Sequence, residues 1–371
     1  MTMLPPYSRI SVLGGGAWGT ALAIAAMTAG RETLLWARED DVVTGINQKN
    51  ENARFLPGVS LPKSLHATGA LAEAARADAL LLVVPAQVLA EFARTLAPLI
   101  ATGTPLVICA KGIEKNTGRL VNEVLKDVVP GAEIAILSGP SFARDVAKGL
   151  PTAVTIAAAG DISARLQASL NSPAFRPYAS DDISGVALGG AAKNVYAIAC
   201  GVVEGMGLGE NARAALLARS FAELARLGEA LGAKRETLMG LSGLGDLVLT
   251  ATSKSSRNFS FGMELGQGRS VAELDTPGHP LAEGVATAPA LVKRARAEGV
   301  ELPIAEAMAD LLSGALPLGE AIAAERIDHR PRHHDAAHAR VLRRRSGRQR
   351  NRGIARIVRP HGDEHREMSP A

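Results

Sequence analysis

The sequence predicts an α/β fold in two parts: a mostly parallel sheet with helices on both faces, then an all-α C-terminal domain. Three observations lead there. Short apolar runs alternate with helical patterns as far as Asp182, and strand–helix alternation at this spacing builds a parallel sheet. A glycine-rich turn, Gly14-Gly15-Gly16-Ala17-Trp18-Gly19, joins the first strand to the first helix. Beyond Asp182 the alternation stops, and apolar residues recur at helical spacing instead.

Arg9–Leu13 reads as a strand, Trp18–Ala29 as a helix closed by Gly30, Thr33–Ala37 as a second strand and Asp40–Lys49 as a polar helix. Ala79–Val84 is an unbroken apolar run, which marks a strand covered on both faces. Val88–Leu96 reads as a helix, and Leu106–Ala110, Glu133–Leu137 and Ala153–Ala157 as further strands. From Gly185 to Gly207, Ala, Gly and Val dominate with few charges, which predicts a helix buried almost all round. Ala212–Leu231 follows with Leu216, Leu217, Phe221, Leu224 and Leu227 on one face, and further helices fit Leu244–Thr250, Ser256–Leu265, Val285–Glu298, Ile304–Leu312 and Leu318–Ala323. The expected division is a dinucleotide-binding domain over 1–182, a helical substrate domain over 183–324 and an atypical Arg/His-rich tail over 325–371.

Bulk properties narrow the functional classes. A chain of 371 residues is long for one core. With 47% apolar but only 3% aromatic residues, that core is built mainly from Ala, Leu, Val and Ile. The net charge of +4 misleads, because the last 47 residues hold 13 Arg and no Lys against 6 Asp+Glu. The body keeps 28 basic side chains against 31 acidic ones, which argues against nucleic-acid binding by the folded part. Cys109 and Cys200 sit in apolar runs, as reduced buried thiols of a cytoplasmic protein would. The N-terminus lacks a signal-peptide pattern, and no uninterrupted apolar stretch reaches the ~18 residues of a membrane span. No metal site is expected in the body.

Gly14-x-Gly16-x-x-Gly19 follows a strand and opens a helix. Gly14 permits the tight turn, Gly16 lets a pyrophosphate approach the backbone, and Gly19 lets helix pack on strand. The helix N-terminus supplies free N–H groups and a favourable dipole to the anion. These features make the sheet half Rossmann-like. After the second strand, Arg38 precedes Glu39 and Asp40. An arginine there accommodates the 2′-phosphate of NADP, an acidic residue the ribose of NAD; the alternative is that Arg38 is a solvated loop charge. The expected cofactor is NAD or NADP with NADPH favoured.

Lys193-Asn194 is expected at the head of the long apolar helix. A lysine there loses hydration unless it reaches a cleft, and burial lowers its pKa toward the range useful for proton transfer. Lys111 ends a strand, where an open α/β sheet meets its ligands; the alternative is an ordinary surface lysine. Gly139 and Ser141 follow another strand, and Ser141 either contacts a ligand or caps the next helix. Asp246 either caps a short helix, binds a substrate hydroxyl or orients Lys193. Ser256-Arg257-Asn258 opens a helix with dipole, backbone N–H groups and guanidinium together, a good phosphate cradle; the alternative is plain capping of that helix.

In this order, the stretches GGGAWGTALA (Gly14–Ala23), AKGIEKNTGRL (Ala110–Leu120), SGPSFARDVAKGLPTA (Ser138–Ala153), LGGAAKNVYAIACGVVEGMGLGENARAAL (Leu188–Leu216), GLGDLVLTATS (Gly243–Ser253), SRNFSFGMELGQG (Ser256–Gly268) and AEGVATA (Ala282–Ala288) resemble the bacterial NAD(P)+-dependent glycerol-3-phosphate dehydrogenases. The resemblance implies interconversion of sn-glycerol 3-phosphate and dihydroxyacetone phosphate for glycerophospholipid synthesis. It also implies a homodimer and a helical domain of the 6-phosphogluconate dehydrogenase C-terminal type. By position it makes Lys193 the proton-exchanging residue. Lys111, Gly139, Ser141, Lys193, Asp246, Ser256, Arg257 and Asn258 become substrate contacts. Gly16, Trp18, Arg38, Lys111, Ala143, Arg257, Leu281 and Glu283 become cofactor contacts, Leu281 standing where the family pattern has valine.

Two rival readings share parts of this pattern. One is another β-hydroxyacid or 6-phosphogluconate-type dehydrogenase, in which lysine and asparagine stand further apart. The other is an inactive NADPH-binding regulator, which would need no proton relay. The resemblance ends near Ala323–Ala324. The tail beyond holds six of the eight His, and its lysine-free, aperiodic composition fits translation in a shifted reading frame better than a metal or nucleic-acid site. Disorder and dispensability are expected of it, and sequencing the coding DNA checks the frame.

Overall fold

The computed structural model describes residues 5–274, 276 and 282–320. Strands β1 (Arg9–Leu13), β2 (Glu32–Trp36), β3 (His66–Thr68), β4 (Ala79–Leu82), β5 (Pro105–Ile108), β6 (Glu133–Ser138), β7 (Thr152–Ala158) and β8 (Phe175–Ser180) form one sheet in the order β3-β2-β1-β4-β5-β6-β7-β8. The chain runs outward from β1 to β3, then crosses back to β4. The strand order therefore reverses beside β1, and Leu13 is flanked by Trp36 on one side and Leu82 on the other. A reversal of this kind opens a crevice at the strand carboxyl ends. The glycine turn leaves β1 at that edge and enters the Ala17–Thr28 helix, which carries no side-chain cap.

All neighbouring strands are parallel except β6 and β7, which run antiparallel. The mostly parallel Rossmann-like sheet is therefore as expected, with two additions. β3 is three residues long, and β8 contains Pro177, which a central strand would not tolerate but an edge strand accepts. The polar segment after β2 is not one helix: a short helix, Asp40–Thr44, passes into a wide turn over Gly45–Lys49. Helices Val121–Val128 and Ile162–Leu170, not among the expected elements, complete the cover of the sheet.

The second half is helical as expected. Its axis is the Ile183–Gly205 helix, whose first turn is closed by Asp182: the carboxylate accepts from Gly185 N at 2.8 Å and Lys234 N at 2.8 Å. Lys193 lies in the middle of this helix rather than at its head. By length and composition the helix is apolar enough to cross a membrane, yet it is wholly enclosed by the fold. The Arg257–Gly266 helix packs against it at unusually short range. A Cβ on Gly201 would stand 2.1 Å from Phe259 O, one on Gly205 2.1 Å from Met263 O, and one on Gly262 2.1 Å from Ile198 O. Glycines four apart on both helices thus bring the backbones into contact, the device that small residues provide in closely crossed helix pairs. The result is a rigid mount for Lys193 and for the residues that open the Arg257 helix.

Arg294 also ties the two halves together. Its guanidinium donates to both Glu123 oxygens at 2.6 and 2.9 Å, a bidentate fork that fixes orientation as well as distance. Cys109 and Cys200 are both buried, and neither is in a disulfide.

Candidate active site

Three charged side chains from both halves converge at the carboxyl edge of the sheet. Lys111, just past β5, donates from Nζ to Asp246 Oδ2 at 2.6 Å and to Gly139 O at 3.2 Å. Lys193 donates to the other oxygen of the same carboxylate, Asp246 Oδ1, at 2.6 Å and to Thr250 Oγ1 at 2.9 Å. Asp246 is 1% exposed and Lys193 7%, so a single carboxylate neutralises one of two nearly dehydrated ammonium groups.

The geometry sets aside capping for Asp246 and the surface description of Lys111. Asp246 begins its helix, but its carboxylate is turned to the lysines and caps nothing. The Lys111 side chain is only 15% exposed and is not an ordinary surface lysine. Thr250, one turn after Asp246, went unnoticed in the sequence. A threonine four residues beyond an acid on a helix shares its face, and that spacing is the signal that could have found it.

Burial pushes the Lys193 ammonium down to about 8. The Asp246 carboxylate opposes this, and the Lys111 charge adds to the lowering. Burial alone would raise the Asp246 carboxyl, but the charges and hydrogen bonds of the two lysines outweigh it and hold it below the usual carboxylate range. An amine near 8 exchanges protons readily around neutrality, as a general acid–base requires. Close packing fixes its position: a Cβ on Gly190 would come within 2.7 Å of Ser138 Oγ, and one on Gly189 within 2.6 Å of Ser242 O. A side chain at Gly189 would run into backbone.

Beside Lys193, Asn194 Oδ1 accepts from Asn258 Nδ2 at 3.0 Å, and Asn258 Oδ1 accepts from Gly284 N at 2.9 Å. Asn258 thus pins the start of its own helix and of the Glu283–Ala297 helix to the helix bearing Lys193, and Glu283 lies 3.5 Å from Asn194 Nδ2. Ser256 is the N-cap, its hydroxyl accepting from Phe259 N at 3.2 Å. Arg257 is exposed, with no ion-pair partner among the described residues. Ser141 does not cap the helix that follows; its hydroxyl donates to Gly139 O at 3.0 Å. Gly139 has φ +155°, and a Cβ there would meet Val154 Cα at 2.8 Å. Ala143 starts the next short helix.

The glycine turn fits a dinucleotide. Gly14 has φ +137°, and a Cβ on it would meet Val83 O at 2.5 Å; one on Gly19 would meet Gly14 O at 1.8 Å, whereas one on Gly16 meets nothing within 4 Å. Space therefore remains beside Gly16 where a ligand must approach. The Trp18 indole N–H is enclosed with no acceptor among the described residues. Arg38 extends from the end of β2, 83% exposed and paired to Glu39 at 2.9 Å. Gly19→Ala is expected to displace the turn and weaken NADPH binding at least about tenfold, read by fluorescence titration. Leu281 and the 325–371 tail lie outside the described residues.

Comparison with known proteins agrees with this geometry. The family model described as NAD-dependent glycerol-3-phosphate dehydrogenase N-terminus matches residues 9–163, and the corresponding C-terminus model matches 182–323. A glycerol-3-phosphate dehydrogenase [NAD(P)+] of Parvibaculum lavamentivorans is 55% identical over 319 residues, 86% of this chain and 96% of the relative. One from Rhodospirillum rubrum is 56% identical over 316 residues, 85% and 90% of the two chains. The crystal structure of glycerol-3-phosphate dehydrogenase from Coxiella burnetii superposes with a TM-score of 0.82 at 36% identity, covering 87% of this chain and 99% of that one. The rival β-hydroxyacid and 6-phosphogluconate-type assignment is thereby set aside. The chain belongs to the NAD-dependent glycerol-3-phosphate dehydrogenase family.

Proposed function

We propose that this chain interconverts sn-glycerol 3-phosphate and dihydroxyacetone phosphate with NAD(P)(H), with Lys193 as the proton-exchanging group. The observation that carries the reading is the Lys111–Asp246–Lys193 chain, which places a poised amine where the two halves meet. A regulator that only bound NADPH would have no use for it.

Gly14, Gly16, Trp18 and Gly19 would hold the dinucleotide together with Arg38, Ala143, Arg257 and Glu283, and the cofactor when bound supplies or accepts a hydride. In the reducing direction Lys193 donates a proton to the ketone oxygen as alkoxide charge develops there. In the oxidising direction its neutral form takes the hydroxyl proton. Asp246 and Thr250 keep Nζ in place through both states, so little reorganisation accompanies the transfer. Lys111 remains beside Asp246 as a fixed positive charge for the developing oxyanion. Gly139 and Ser141 line the same edge. Arg257 and Ser256 take the phosphate, with Asn258 setting their position, so that binding at the far end of the substrate aligns the carbonyl.

The division near residue 182 between cofactor and substrate parts belongs to this reading. So do a cytoplasmic location, supported by two buried cysteines that form no disulfide, a homodimer, supported by the family resemblance alone, and supply of glycerophospholipid synthesis.

Following absorbance at 340 nm with dihydroxyacetone phosphate and each reduced cofactor tests the proposal. Turnover with at least one supports it, and none with either overturns it. Arg257→Ala is expected to lower kcat/KM for dihydroxyacetone phosphate about 10- to 100-fold, the loss of a charge-assisted hydrogen bond. Turnover of dihydroxyacetone, which has no phosphate, should stay unchanged.

A further inference from the structure

We propose that Asn52 is a positioning residue for the cofactor, setting the direction of the Gly16 N–H at the glycine turn; this rests on the dinucleotide reading above. Asn52 lies 36 positions beyond Gly16 in the sequence, outside any recognised motif, yet it is 1% exposed and its amide reaches the turn. Asn52 Nδ2 donates to Gly15 O at 2.8 Å and to Thr20 Oγ1 at 2.8 Å. The Thr20 hydroxyl in turn donates to Gly16 O at 3.0 Å. Two successive carbonyls of the turn are thus held by one asparagine, one directly and one through a threonine that is itself fully buried.

The orientation of the amide is determined by its other end. Phe55 N donates to Asn52 Oδ1 at 3.1 Å, so the NH2 group has to face the glycines. The segment carrying Asn52 is anchored independently. Asn50 adopts a left-handed conformation, φ 53°, and Leu61 N donates back to Asn50 O at 2.9 Å. Glu51 bridges to Ser60, and Arg144 Nη2 donates to Pro57 O at 3.1 Å.

A turn with three consecutive glycines needs this support. Gly15 is required because a Cβ there would lie 2.5 Å from Ala37 Cβ, and Gly16 is flanked by open space. The peptide joining them lies between two residues of maximal backbone freedom, and ordering it is entropically expensive. That peptide is planar and trans, so its carbonyl and N–H point in opposite directions. Holding Gly15 O toward Asn52 therefore turns the Gly16 N–H away from Asn52. Without that restraint the peptide rotates, and the N–H faces the pyrophosphate only part of the time.

The experiment is direct titration with NADPH, with turnover measured separately and melting curves recorded without cofactor. Asn52→Ala is expected to raise the NADPH Kd about tenfold. At saturating NADPH, kcat and the KM for dihydroxyacetone phosphate should stay within about twofold of wild type. Thr20→Val should weaken NADPH binding in the same way, and Thr20→Ser, which keeps the hydroxyl, should restore it. This second pair reads the proposal even where Asn52→Ala fails to fold. A folded Asn52→Ala with wild-type NADPH affinity overturns the proposal, as does a proportional loss in Kd, kcat and substrate KM, or equal behaviour of Thr20→Val and Thr20→Ser. A wild-type protein that binds NADPH but turns over no dihydroxyacetone phosphate contradicts the assigned reaction while leaving the role of Asn52 standing.

Discussion

Lys193→Met is expected to lower turnover of dihydroxyacetone phosphate by about 10²–10⁴-fold, the contribution of a positioned general acid–base. Its NADPH Kd should remain within about twofold of wild type. Methionine keeps most of the aliphatic stem inside an enclosed helix, so packing is largely retained. What is lost is the ammonium at the meeting of the two halves. Asp246 is not stranded by the change, because Lys111 still donates to its other oxygen at 2.6 Å. Loss of activity with cofactor binding intact therefore isolates proton transfer from folding and from nucleotide recognition. A similar loss in NADPH affinity would instead point to a distorted crevice.

Asp246→Ala is expected to be the most destabilising single change at the site, costing about 3–5 kcal/mol, the usual result of removing one partner from a buried ion pair. Here the carboxylate serves two lysines at once. Its removal leaves Lys111 and Lys193 as like charges with no counter-ion between them, and 9% side-chain exposure gives Lys193 little water in exchange. The direction for Lys193 is also fixed. The Asp246 charge and hydrogen bond both raise its pKa against burial, so without them burial and Lys111 act unopposed and the pKa falls below about 8. Urea denaturation reads the stability loss. Asp246→Asn keeps the shape and removes the charge, and should lie between wild type and alanine.

Much of the architecture was legible because it rests on local pattern. The glycine turn, the buried apolar strands and the change of period after Asp182 all survive in the structure with boundaries displaced by a few residues. What was hidden depended on partners distant in sequence. Apolar runs carry no sign of direction, so the antiparallel placement of β7 against β6 could not be read. β8 carries Arg176 and Pro177 and lacks a strand's usual pattern, and only its place at the sheet edge makes it one.

The site shows the same division. Lys111, Lys193 and Asp246 each drew notice for their chemistry and local setting. That one carboxylate joins both lysines follows only from the fold, since Asp246 is 135 residues from Lys111. Asn52 and Thr250 are ordinary polar residues in the sequence and gain meaning from what they touch. The glycines of the Gly201 and Gly262 helices form no motif in the sequence, and only the contact of the two backbones accounts for them.

The pH dependence of kcat/KM for dihydroxyacetone phosphate reduction tests the central claim most directly, because it reports the protonation state of the residue said to move the proton. Donation needs the ammonium form, so the rate should be full below about 8 and fall as pH rises through that value, while glycerol 3-phosphate oxidation should rise over the same range. The falling limb should move to lower pH in Asp246→Asn and vanish from the residual activity of Lys193→Met. A limb that persists unchanged in Lys193→Met would show that another group carries the proton and would contradict the account.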